Sequence, residues 1–83
     1  MEGEVRVESG ARIARSRIGP NVTVEVGAVV EDSELRDCIV GPGATVRNAH
    51  LTDSIIGENA RVAGVRGRVN AAGYTEIEGS DQD

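Results

Sequence analysis

Phenylalanine and tryptophan are absent from this chain, and Tyr74 is its only aromatic residue. Leucine occurs twice, at Leu35 and Leu51. A globular core of 83 residues is marginal, because a domain of that size buries only ~60% of its unfolded surface. Enlarging such a core normally takes the large side chains that are missing here. Lysine is missing too, and nine arginines carry all the positive side-chain charge against 14 acidic residues, a net charge of −5. That balance, with no aromatics to stack on bases, argues against a nucleic-acid partner. The single cysteine, Cys38, excludes an internal disulfide and fits a reducing compartment. No run of apolar residues is long enough to cross a membrane, and the N-terminus lacks a signal-peptide pattern. A cytoplasmic chain without a membrane partner is therefore expected.

What is present is Val, Ile, Ala and 11 glycines. β-Branched residues favour strands and glycines mark turns. Aliphatic residues recur at Val7, Ile13, Ile18, Val24, Val30, Leu35, Val40, Val46, Leu51, Ile56 and Val62, always five or six residues apart. Two residues before each lies Val5, Ala11, Ser16, Val22, Ala28, Ser33, Cys38, Ala44, Ala49, Ser54 or Ala60. All of these are small or β-branched and none is charged. Residues two apart share one face of a strand. Each segment thus turns one small and one aliphatic side chain the same way. Gaps of five and six do not fit a helix of period 3.6. They are also too short for a sandwich or barrel, whose strands and turns repeat every ~8–12 residues.

An all-β solenoid remains: a single-stranded parallel β-helix with three segments per coil. The expected coils are Val7–Thr23, Val24–Ile39, Val40–Ile55 and Ile56 onward, three to four coils of 16–17 residues. Glycine and turn formers at Gly10, Gly19-Pro20-Asn21, Gly27, Gly41-Pro42-Gly43 and Gly57-Glu58-Asn59 mark corners. The expected organisation is a solenoid over residues 1–65 and a C-terminal cap and acidic tail over 66–83. Beyond Val62 the residues Val65, Val69 and Ile77 could extend a last partial coil, and Tyr74 could cover the end.

The segments "IGPNVTV", "VGPGATV" and "IIGENARV" resemble the hexapeptide repeat. The longer "VVEDSELRDCIVGPGATV" resembles the C-terminal β-helix of sugar-1-phosphate nucleotidylyltransferases. Glucose-1-phosphate thymidylyltransferases are the nearest in pattern, and N-acetylglucosamine-1-phosphate uridylyltransferases are similar. The resemblance covers Val5–Val62. It implies a left-handed coil and homo-oligomers, with a trimer favoured. In the resembled enzymes a catalytic domain comes first and joins a nucleoside triphosphate to a sugar-1-phosphate. Nothing here matches that domain's phosphate loop. With "MEGEVRV" opening almost directly in a strand, a missing N-terminal nucleotidyltransferase domain is an expected partner.

Candidate site residues are few. His50, the only histidine, falls between two inward positions and should point outward beside Glu34 and Arg17 of preceding coils. Similar β-helix acyltransferases use a histidine base, so a small acyltransferase is one alternative; a plain surface histidine is the other reading, and no protruding loop accompanies it. Cys38 falls on an inward position and reads as a small hydrophobe. Gly41–Gly43 lacks the helix and lysine of a phosphate loop. Asp32, Asp37 and Asp53 follow the coil spacing and not that of a calcium loop. No catalytic, cofactor or metal residue is assigned. Arg12, Arg47 and Arg61 are the only hint of the second alternative, a regulatory module for a sugar nucleotide or phosphate. Ile39 and Ile55 should point outward, stacked on one face and continued by Thr23 and Arg6. On another face Val29 and Thr45 stack between Arg12 and Arg61. Adjacent exposed aliphatics on a flat sheet mark an interface. Ile39, Ile55, Thr23 and Val29 are therefore the candidate contact residues of an oligomerisation domain.

Overall fold

The computed structural model describes residues 5–78. Their strands are β1 (Val5–Val7), β2 (Arg12–Ala14), β3 (Arg17–Ile18), β4 (Val22–Val24), β5 (Val29–Glu31), β6 (Glu34–Val40), β7 (Thr45–Arg47), β8 (His50–Ile56), β9 (Arg61–Ala63), β10 (Arg66–Gly67), β11 (Asn70–Ala71) and β12 (Glu76–Glu78). No helix occurs among the described residues, and every strand pairing is parallel. The strands stack into a left-handed β-helix-like solenoid of about five turns.

Three columns of strands form its sides. One column stacks β1, β4, the second half of β6, the second half of β8, and β11. The next stacks β2, β5, β7, β9 and β12. The third stacks β3, the first half of β6, the first half of β8, and β10. Stacked residues lie 17 positions apart in the first coil, 16 in the middle and as far as β10, and 15 at β11 and β12.

The inward rows match the alternation in the sequence. Val22, Val24, Ala28, Val30, Leu35, Cys38, Val40, Ala44, Val46, Ala49, Leu51, Ile56, Ala60 and Val62 are all buried. A small and an aliphatic side chain per strand fill a bore too narrow for an aromatic ring, which accounts for the missing Phe and Trp.

Two expectations need correction. The solenoid has about five turns where three to four coils are expected, because the parallel register runs on past residue 65. There β10 and β11 pair with β8, and β12 pairs with β9. Val65, Val69 and Ile77 pack against the core in that last coil. Tyr74 is not a lid. It is 73% exposed at a corner, and its N–H donates to Glu58 O at 2.8 Å. The rest of the acidic tail, residues 79–83, and residues 1–4 lie outside the described residues.

Each corner turns on a residue with positive φ. Several are not glycine: Arg15, Asp32 and Asn48 share one corner column, with φ of 49°, 49° and 48°. Asn21, Asp37 and Asp53 share another, with φ of 58°, 52° and 50°. Asn and Asp tolerate this region because their short polar side chains bond locally.

The residue after such a corner points inward, and there the serines have a task that size alone does not reveal. Ser33 Oγ donates to Glu31 O at 2.7 Å and accepts the Ala49 N–H at 3.2 Å. Ser54 Oγ donates to Thr52 O at 3.0 Å and accepts the Val69 N–H at 2.9 Å. Ser16 does the same between Ala14 O and the Ser33 N–H. Each hydroxyl closes its own corner and ties it to the next coil. No buried side-chain polar atom among the described residues lacks a partner. Ser54→Ala is expected to lower the unfolding free energy by about 1–2 kcal/mol, the usual result of stripping a buried amide of its acceptor. Urea denaturation followed by circular dichroism reads the loss, and hydrogen exchange should show the Val69 amide losing protection.

Candidate interaction faces

Outward side chains form straight rows along each column, since the parallel register puts equivalent positions in line. In the first column the row runs Arg6, Thr23, Ile39, Ile55, Asn70. Ile39 and Ile55 are 44% and 51% exposed and are direct cross-strand neighbours. Thr23 beside them is half-buried. In the second column the row runs Arg12, Val29, Thr45, Arg61, Glu76, with Val29 half-buried. The structure places all four candidate contact residues in these rows. It brings Ile39, Ile55 and Thr23 onto one face, while Val29 lies on a different side.

The third column carries the polar row Arg17, Glu34, His50, Arg66. Glu34 sits between Arg17 Nη1 at 3.5 Å and His50 Nδ1 at 3.5 Å. His50 is exposed on a flat side, with Glu34, Arg36, Thr52 and its cross-strand neighbour Arg66 as polar surroundings. This is the outward carboxylate–histidine ladder expected from the alternation. Exposed pairs of this kind contribute ~0–1 kcal/mol each.

Other charges pair along neighbouring rows and corners. Arg15 donates two hydrogen bonds to Asp32, at 2.7 and 3.1 Å. Those bonds, before any other influence, hold the Asp32 carboxyl below its usual range. Arg47 Nε reaches Glu31 at 3.2 Å, and Arg61 Nη1 reaches Glu76 at 3.6 Å. Two of the three arginines considered for phosphate recognition thus already face carboxylates of this chain. Between them, over the small Ala63, lies an open depression of about 370 Å³ lined also by Thr45 and Glu78. Its rim is of mixed charge.

Cys38 is buried, and its thiol donates to Arg36 O at 3.0 Å. Burial pushes the thiol pKa up, against the opposing influence of nearby hydrogen-bonding groups. It remains a protonated thiol at neutral pH, suited to packing and not to attack. Gly41–Gly43 is a corner: the Ala44 N–H donates to Gly41 O, and the Asn59 N–H donates to Pro42 O. Asp32, Asp37 and Asp53 sit one per corner, and no group of three or more metal-binding side chains converges among the described residues. No helix of the described residues is long and apolar enough to span a membrane.

The residues that sequence reading missed are the bridging serines and the left-handed corner residues. A signal was present: Ser16, Ser33, Cys38 and Ser54 each follow directly on Arg15, Asp32, Asp37 or Asp53. A small polar residue placed regularly after an Asp corner points to a side chain that closes the turn. No protein-family model matches this chain, and no curated protein matches it.

Proposed function

We propose that the chain is a non-catalytic assembly domain whose first column of strands packs laterally against other copies. The observation that carries this is the pair Ile39 and Ile55. They are two aliphatic side chains about half exposed, adjacent on a flat and rigid sheet, with Thr23 extending the strip. Burying such a strip removes apolar surface from water at ~25 cal/mol per Å². The solenoid loses little conformational entropy in doing so, because its backbone is already ordered. By resemblance to the β-helices of sugar-1-phosphate nucleotidylyltransferases, the assembly is a cytoplasmic trimer. In a longer relative of that kind it would hold nucleotidyl-transfer domains in a fixed array.

Light scattering after gel filtration tests this. The expected mass is three times the 8.7 kDa of one chain. Ile39→Glu/Ile55→Glu is expected to return the protein to a monomer with an unchanged circular dichroism spectrum. A wild-type monomer, or an oligomer indifferent to the double substitution, would remove this face from consideration.

A further inference from the structure

The two ends of the solenoid differ, and each leaves strand edges unpaired. Among the described residues β1, β2 and β3 have partners on one side only, and so do β10, β11 and β12. At the N-terminal end Val5 and Val7 occupy inward positions yet are 46% and 47% exposed, whereas Val22 and Val24 directly beneath them are buried. Ile13 and Ile18 of the same coil are only partly buried. At the other end the equivalent positions carry Val69, Ala71, Ile77 and Gly67. A side chain added at Gly67 would meet nothing within 4 Å. One end therefore leaves its inward aliphatic side chains open, whereas at the other Ala71 is buried, Val69 and Ile77 are half-buried, and Gly67 alone of these positions has open space beside it.

Charge distinguishes the ends in the same sense. The second outward row starts with Arg12 and finishes with Glu76. Within the chain Glu76 already pairs with an arginine one rung away, Arg61, at 3.6 Å. Continuing the register by one rung would set Glu76 beside Arg12 of another copy, Ile77 beside Ile13, Ala71 beside Val7 and Gly67 beside Ile18. One rung opposes this, since Arg66 would meet Arg17, but both are exposed and such contacts are screened by solvent. Pairing two N-terminal ends would instead crowd Arg6, Arg12 and Arg17 of both copies together.

We propose that the C-terminal coil of one copy docks on the N-terminal coil of the next, extending all three columns of parallel strands. Such a contact is heterologous and does not close, so it generates an open head-to-tail stack. It uses the ends of the solenoid and is independent of the lateral face.

The test uses the full chain carrying Ile39→Glu/Ile55→Glu, which removes lateral association from the readout. Sedimentation velocity from micromolar to millimolar concentration is expected to show an average mass that climbs without a plateau. Adding Arg12→Glu or Glu76→Arg is expected to lower the association constant about tenfold, as attraction between facing charges becomes repulsion. An equimolar mixture of the two variants should recover the lost association, because each end then meets its opposite charge. Glu76→Gln, a milder change at an exposed site, should fall between. Circular dichroism confirms that each variant is folded. A constant mass at every concentration would overturn the proposal. So would a plateau at a dimer that Glu76→Arg leaves unchanged, or a mixture that stays unassembled.

Discussion

Gly41→Ala is expected to destabilise the solenoid by about 3 kcal/mol, the upper range for overpacking a filled interior. Gly41 does not adopt positive φ, so its need for glycine is steric and not conformational. A Cβ there would lie 2.9 Å from Glu58 N, Gly57 C and Ile56 O of the next coil. All three are backbone atoms of a hydrogen-bonded ladder, in which the Gly41 N–H donates to Ile56 O at 2.7 Å. None can rotate aside, and relief requires prising two coils apart. Gly73→Ala is the control: its added Cβ would meet nothing closer than 3.4 Å, and its φ is ordinary. Urea unfolding should show a lower midpoint for Gly41→Ala, at an unchanged slope, and near wild-type behaviour for Gly73→Ala. Equal effects at the two positions would show that glycine acts here through chain entropy and not through the close approach of coils.

Leu35→Ala is expected to cost about 3–4 kcal/mol, toward the upper part of the range for deleting a buried leucine. Leu35 is fully buried and stacked between Ile18 and Leu51. In a bundle, neighbouring helices can shift into the space left by a lost side chain. Here the strands above and below are held at hydrogen-bond spacing, and the other two sides of the bore are held in the same way. The cavity stays open and its walls lose their contacts. Against a total stability of ~5–15 kcal/mol this is a large fraction, corresponding to a fall in Tm of roughly 15–20 °C for a domain of this size. A loss below ~1 kcal/mol, less than is typical for such a truncation, would mean that the interior collapses around the gap.

These two positions also show what could be read without coordinates. Leu35 was legible: its spacing from Ile18 and Leu51, and the uncharged Ser33 two residues earlier, place it inside. The same rule put His50, Ile39 and Ile55 outside and stacked Arg17 on Glu34 on His50, all as found. Gly41 was only half legible. It reads as a turn former, but the reason it must be glycine is the backbone of the next coil, which no local pattern displays. The serines follow the same logic. Ser33 and Ser54 look like small fillers until Ala49 and Val69 arrive from the next coil with amides that need an acceptor. The last coil was hidden for a further reason. Its spacing shortens to 15, Gly67 takes the place of an aliphatic and Tyr74 the place of a corner glycine or asparagine, so the pattern fades although the pairing does not.

The nearly even offset between stacked residues, 15 to 17 positions, also bears on how the molecule forms and fails. Every rung closes a loop of nearly the same length, so the entropy of adding a coil barely changes along the chain. Among the described residues no strand pairs with anything beyond the coils directly above and below it. Cooperativity is then a nearest-neighbour property: any two stacked coils can serve as a nucleus, and growth proceeds outward from them in either direction. Loss of structure should run the opposite way, peeling from the two terminal coils inward. The seam between β6 and β8, the longest run of pairing among the described residues, should be the last to open.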